Sequence, residues 1–236
     1  MLQPRRGQFS DEAHATWGAI AAIHRENRGA QMVPMFLRGL HTLGLDTDFI
    51  PLLDEVNGRL EFLTGWRGVF VKGLEDSAGF YRLLRDRCFP IGNFMRDRRD
   101  LDYTPAPDVL HDLYGHLPFH ADEEYADYCQ RFGALACEFL GDPVRLRRLE
   151  RYFWFTNEFG LVQTPDGRRI FGAGIASSVG ECVYALSEKP EVLRFDVEHI
   201  CAQEFRIDQL QPRLFLLDSV EQLYGAFPKL EACVRA

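Results

Sequence analysis

The chain has 236 residues, 46% of them hydrophobic, which is enough for a substantial core and excludes a disordered chain. Lys and Arg number 27 against 35 Asp and Glu, for a net charge of −8. Phosphate-backbone binding rests on clustered Lys and Arg, so an acidic chain whose basic stretches (96–100 and 145–151) are interrupted is expected to bind no nucleic acid.

In chain order, Ser10 and Asp11 offer N-caps for a helix through Ile23. A second helix is expected over Met32 to Leu43, ending at Gly44, and a third over Phe49 to Leu63, ending before Gly65. Asp76 or Ser77 can cap a helix through Arg87, and another starts after Pro107 with Asp108 near its cap. Tyr125 to Leu140 and Pro143 to Phe155 carry the strongest helical patterns, Pro143 suiting a first helical position. Gly160 to Gln163 and Arg168 to Phe171 flank Pro165-Asp166-Gly167 and predict a β-hairpin. Helices are expected again over Ser178 to Ser187 and Pro190 to Gln203. The sum is one mainly α domain of packed helices with a small β-hairpin, over residues 1–236. No run of about 18 apolar residues suggests a membrane span, and the N-terminus lacks an apolar signal-like stretch. The six cysteines, at 88, 129, 137, 182, 201 and 233, form no C-x-x-C pair. A reduced, cytoplasmic setting is expected, with the cysteines serving as small buried hydrophobes.

The most informative segment is Pro107-Asp-Val-Leu-His111-Asp-Leu-Tyr-Gly-His116-Leu-Pro118. Residues i and i+5 stand about 140° apart on an ideal α-helix, so one straight helix would not converge His111 and His116. Gly115 is expected to end the helix and let His116 swing back. The alternative is two unrelated histidines at a helix end. About forty residues on comes Arg151-Tyr-Phe-Trp-Phe-Thr-Asn-Glu158-Phe-Gly160, where a carboxylate follows an aromatic run. Burying it unpaired costs several kcal/mol, so Glu158 needs a metal or an arginine. Two histidines and one carboxylate match the facial triad of non-haem iron oxygenases. Zinc could use the same ligands, so the triad by itself leaves oxygenase and hydrolase both open.

At these residues the chain resembles the pterin-dependent aromatic amino acid hydroxylases. Tyr103 to Pro118 is similar to their iron-binding signature, Tyr152 to Leu161 to a second signature and Gly172 to Glu181 to a third. Leu186 to Pro190 and Gln211-Pro212 continue a likeness running from Thr16 to Phe227. The resemblance implies a mainly helical catalytic domain, Fe(II), tetrahydrobiopterin or a related reduced pterin, and O₂ as co-substrate. It implies His111, His116 and Glu158 as iron ligands and Arg96 as the holder of the amino acid carboxylate, a task that suits a forked guanidinium. Thr104 falls where the same amino acid is contacted. Trp154 and Ser177 fall where its ring pocket and the iron's surroundings are lined, and Glu181, one helical turn on from Ser177, would support them. Gly73, Ser77, Phe80 and Asp112 fall at cofactor positions, Phe80 where a ring stacks on the pterin. Without the resemblance, Phe80 would read as core and Arg96 as a solvated face.

The chain departs from the family pattern in three places. Asp112 stands where Glu is usual, Pro90 where His is frequent, and Phe153 where Tyr is common. The regulatory and tetramerisation segments of the animal members are not seen, so a monomer is the default expectation. For substrate, Trp154 is like the phenylalanine branch, and Ile207 is not the Asp of the tyrosine branch. Hydroxylation of phenylalanine to tyrosine is expected first. Tryptophan 5-hydroxylation or meta-hydroxylation of phenylalanine would need pocket differences worth only about 1–3 kcal/mol. The competing classes are a zinc hydrolase on the same triad and a non-catalytic pterin or amino acid binding protein.

Overall fold

Ser10 opens the first helix, its hydroxyl accepting the Ala13 N–H, and the computed structural model describes residues 8–73, 75–99 and 107–236. Helix α1 (Asp11–Gln31) runs eight residues past the expected Ile23, because no breaker intervenes before Val33-Pro34. Pro34 then starts α2 (Pro34–Leu43), which Gly44 closes in the left-handed conformation at φ 68°. Helix α3 (Leu53–Thr64) starts four residues later than expected. Strand β1 (Arg67–Val71) leads to α4 (Ser77–Arg85), where Asp76 is the cap and accepts the Gly79 N–H. Strand β2 (Cys88–Gly92) pairs in parallel with β1.

The long α6 (Glu123–Glu138) and α7 (Pro143–Phe153) start on Asp122 and Asp142, whose carboxylates take the first free N–H groups. The expected hairpin is present as β3 (Gly160–Thr164) and β4 (Gly167–Ile170), antiparallel, with Leu161 opposite Ile170. Short α8 (Ala173–Ala176) and α9 (Val179–Leu186) follow, the latter capped by Ser178. The helix expected over Pro190 to Gln203 divides into β5 (Glu191–Arg194) and α10 (Val197–Ala202). Glu191–Arg194 hydrogen-bonds alongside β6 (Arg213–Leu217), and Asp196 caps the helical remainder. Helices α11 (Val220–Gly225) and α12 (Phe227–Arg235) end the chain.

The larger sheet has the order β4-β3-β6-β5, so the hairpin is extended by strands from farther along the chain. The parallel register sets Gly160 opposite Phe215 and Leu161 opposite Leu216, anchoring the chain directly after Glu158. Around it lies a mostly aromatic and aliphatic core in which Trp17, Trp66, Tyr114, Phe36, Phe119 and Phe171 are fully buried. Cys129, Cys182 and Cys201 are buried and unpaired, as small hydrophobes. Among the described residues no helix is long and apolar enough to cross a membrane.

Candidate metal centre

His111 and His116 do converge, but not because the helix ends at Gly115. The helix that begins at Val109 continues through His111–His116 as a π-helical turn and on into α5 (Leu117–His120). The Leu117 N–H reaches the Asp112 carbonyl, five residues back. This wider winding gives i and i+5 the relation that i and i+4 have in an α-helix, so both rings share one face. Gly115 matters for space instead. A Cβ there would sit 2.8 Å from the Ala173 carbonyl oxygen and 3.2 Å from the Ser177 Cβ, so only glycine lets α8 lie this close.

Glu158 ends a second π-helical turn, Trp154–Glu158, appended to α7, in which the Phe159 N–H bonds to the Trp154 carbonyl at 2.9 Å. Gly172 packs on the Glu158 backbone so closely that a side chain there would collide with its carbonyl. The His116 Nε2 is 3.1 Å from the His111 Nε2 and 3.1 Å from Glu158 Oε1, while His111 Nε2 is 3.7 Å from Glu158 Oε2. Donors bonded to one ion at about 2.1 Å stand about 3.0–3.4 Å apart, so the two 3.1 Å separations fit a shared ion, and the 3.7 Å one exceeds the range by a distance that a small turn of the Glu158 carboxylate would close, which lets these three residues hold a single ion. Among the described residues, they form the one group of His, Cys, Asp and Glu so disposed. Two neutral nitrogens and a carboxylate suit ferrous iron.

The protonation states fit as well. Burial, more than the opposing pull of Glu158, lowers the His111 pKa to about 4, so the ring is neutral at pH 7. The Ser177 hydroxyl donates to the Gly174 carbonyl at 3.3 Å, so the His111 Nδ1–H donates to Ser177 Oγ at 2.9 Å. That tautomer leaves the Nε2 lone pair facing the other donors. His116 has no such partner: its Nδ1 is buried and unbonded, and the ring is held by packing on Phe89, 4.4 Å away and tilted by 31°. Burial works against the Glu158 charge, yet His116 and then His111 hold its carboxyl below the ordinary value.

Two cavities meet at these ligands. One of about 370 Å³ is lined by Gly73, Ser77, Phe80, Asp112, Glu150 and Phe205, together with all three ligands. Phe153 and Pro90, two of the departures from the family pattern, also line it. The other, of about 260 Å³, is lined by Arg96, Ser177, Glu181, Ile207, Gln209 and Gln211. Pro107, His111, Trp154 and Glu158 border both. The expected cofactor positions thus gather in one chamber and the expected substrate positions in the other. Thr104 lies outside the described residues.

Within the first chamber, Asp112 is buried, and one oxygen accepts the Gly92 N–H at 2.6 Å. Burial pushes its carboxyl well above the ordinary value. In the second, burial pushes the Glu181 carboxyl up to about 7. Arg96 is buried with its Nε and Nη2 on the Asp108 carboxylate, at 2.8 and 2.9 Å, which among the described residues leaves the Nη1–Nη2 edge of the fork for a ligand. Sequence reasoning named Asp108 only as a helix cap. It does cap, accepting the His111 N–H at 3.0 Å, but it also orients Arg96. The signal was a charged cap at the head of an apolar helix, because a carboxylate buried there needs a cation as well as the helix N–H groups. Phe205 and Glu150 were missed altogether, having no motif around them.

A family model for biopterin-dependent aromatic amino acid hydroxylases matches residues 5–232. The chain is 41% identical over 222 residues to a phenylalanine-4-hydroxylase of Ralstonia nicotianae, covering 93% of this chain and 70% of the relative. It is 38% identical over 222 residues to that of Chromobacterium violaceum, covering 93% and 74%. The structure of Chromobacterium violaceum phenylalanine hydroxylase with bound iron(III) and the oxidised cofactor 7,8-dihydrobiopterin superposes with a TM-score of 0.90 at 37% identity, over 97% of this chain and 84% of that one. A phenylalanine hydroxylase from Legionella pneumophila gives 0.88 at 36% identity, over 97% and 92%. With the signatures in order, the three donors converged and two chambers beside them, the chain belongs to the biopterin-dependent aromatic amino acid hydroxylases.

Proposed function

We propose that the protein is a phenylalanine 4-monooxygenase that uses ferrous iron, a tetrahydropterin and O₂ to convert L-phenylalanine to L-tyrosine. The observation that carries this reading is the convergence of His111, His116 and Glu158 where a cofactor-sized and an amino-acid-sized chamber join. When bound, iron and reduced pterin together supply dioxygen activation, with one oxygen atom going to the substrate ring. The chain's own groups supply the placement. Arg96, fixed by Asp108, offers its open edge to the substrate carboxylate, and Trp154 forms the wall along which the ring lies. Ser177 keeps His111 in the binding tautomer. Phe80, edge-on to Phe153 at 5.4 Å, gives the first chamber a flat wall for the pterin, with Gly73, Ser77 and Asp112 along its rim. Phe89, Phe153 and Phe205 keep that chamber apolar, which limits water near the reacting centre.

A zinc hydrolase on the same ligands would need a base beside the metal-bound water. The nearby candidate, Asp112, has its charge opposed by burial and one oxygen taken up by the Gly92 N–H, so it is poorly placed as that base and the geometry favours the oxygenase. The test is an assay of the iron-loaded protein with tetrahydrobiopterin on phenylalanine, tryptophan and tyrosine in parallel, with products resolved by ring position. Tyrosine from phenylalanine is expected. Product from tryptophan alone, or ring hydroxylation at the meta position, overturns the substrate assignment. His111→Ala, His116→Ala and Glu158→Ala are each expected to lose bound iron by metal analysis. Turnover should fall by more than the roughly 10–100-fold that loss of a supporting hydrogen bond costs. The solution state is proposed to be a monomer, which light scattering checks.

A further inference from the structure

Glu181 was expected to support Ser177 and Trp154, yet its carboxylate bonds to neither. The residue is buried in the first turn of α9, where its backbone N–H donates to the Ser178 hydroxyl at 3.3 Å. Among the described residues its carboxylate has no hydrogen bond and no ion pair, and burial is the sole influence on its pKa. One turn on, the Tyr184 hydroxyl donates instead to the Gln211 carbonyl at 3.1 Å, in the stretch 203–212 between α10 and β6. A carboxylate left buried and unpaired is costly, so Glu181 is set for a cation that arrives from outside.

The other charged groups bordering the smaller chamber do not supply that cation. Glu158 faces His116 at 3.1 Å, and Arg96 is tied to Asp108 at 2.8 Å. The chamber thus presents one open guanidinium edge and one bare carboxylate around a space of about 260 Å³. A free α-amino acid carries the complementary pair, a carboxylate and an ammonium on one carbon. A metal cation fits less well, because among the described residues Glu181 belongs to no group of His, Cys, Asp and Glu that could complete its coordination. An aromatic acid without the amino group would satisfy Arg96 and leave Glu181 as bare as before.

Resting on the hydroxylase reading above, we infer that Glu181 binds the α-ammonium of the substrate and so makes the chamber select free amino acids over aromatic acids with the same ring. The test is calorimetric titration of the iron-loaded protein with L-phenylalanine and with 3-phenylpropionate, which lacks only the amino group. The wild type is expected to bind phenylalanine at least about tenfold more tightly, through a charge-assisted hydrogen bond that the analogue cannot make. In Glu181→Gln, phenylalanine is expected to weaken by about tenfold or more while 3-phenylpropionate changes by less than about twofold, so the preference itself is lost. Glu181→Asp, which keeps the charge at a shorter reach, is expected to retain part of it. Melts of the ligand-free proteins give a second readout. Removing an unpaired charge is expected to leave the Tm of Glu181→Gln unchanged or raise it, whereas loss of a support for Ser177 would lower it. A lowered Tm, an equal loss of both ligands, or an unchanged preference overturns the inference. So does a wild type that does not distinguish the two ligands. L-Tryptophan and 3-indolepropionate are run alongside, so that failure of the phenylalanine assignment leaves the comparison readable. A wild type that binds neither amino acid removes the hydroxylase reading itself.

Discussion

Asp108 holds four donors at once: the Arg96 backbone N–H at 2.9 Å, the two N–H groups of the Arg96 side-chain fork, and the first N–H of the metal-binding turn at His111. Burial opposes its charge, but the bonds from Arg96 outweigh that and keep its pKa below the ordinary 3.8. An acid whose folded pKa is depressed stabilises above its unfolded value and loses that contribution as pH falls through the folded one. Asp108→Asn is therefore expected to cost about 3–5 kcal/mol at pH 7, from stranding a buried guanidinium, and to abolish the part of the acid sensitivity that sets in below about pH 4. Denaturant melts at several pH values check both. The same pair constrains how Arg96 is tested. Arg96→Ala would leave a bare buried carboxylate, so Arg96→Lys is the informative change. It is expected to raise KM for phenylalanine by about tenfold or more while moving KM for the pterin much less, because a lysine cannot bond Asp108 and the substrate carboxylate as a fork does. Equal effects on both would remove Arg96 from the carboxylate role.

The two metal-binding segments are both helices wound one residue too wide, and this is where sequence reading and structure part. The donors themselves were legible: His111, His116 and Glu158 stood out by spacing and by a buried setting for a carboxylate. The winding was not, since an i, i+5 pair lies off-face by α-helical arithmetic and the hydrogen-bond shift that corrects it has no residue signature. Caps were legible too, at Ser10 and Asp76, because a cap is a local bond between a side chain and the next turn. Strands β1, β2, β5 and β6 were not, since parallel pairing joins distant segments and Pro90 within β2 argues against a strand. Tight packing of α8 against the first wide turn gives a test at this scale. Gly115→Ala is expected to destabilise by about 1–3 kcal/mol and to weaken iron binding, because the new methyl pushes α8, and with it Ser177, away from His111. A thermal melt and a metal titration check it. Unchanged iron affinity would show that Ser177 does not orient the ring.

Taken whole, the molecule buries imidazoles as neutral groups away from the metal as well as at it. Burial lowers His24 to about 4, with Arg96 and Arg28 adding to the effect, and lowers His120 to about 3. His24 stacks on Tyr114 at 5.1 Å, and His120 lies against Trp66 at 4.3 Å. Both folded values are below the ordinary 6.5, so the unfolded chain takes up protons first as pH falls. Stability is therefore complete above about pH 6.5 and declines from there towards pH 4, each imidazole contributing up to about 1.4 kcal/mol per pH unit. In the iron-free protein His111 adds to the same decline. His24→Phe, which keeps a ring beside Tyr114, is expected to flatten the slope between pH 6.5 and 4, as read from denaturant midpoints. An unchanged slope would mean that His24 is not buried neutral. Residues 203–212 carry a different consequence for the whole. They leave α10 and enter β6, whose register against β3 is fixed just past Glu158, and Gln211 is buried with its amide on the Arg206 and Gln209 carbonyls. The stretch is thus clamped at its far end and shares no backbone with any iron-binding turn. Positions 207 and 209 can be exchanged like a cartridge: a library confined to them would re-shape what the active site admits while its metal remains where it was.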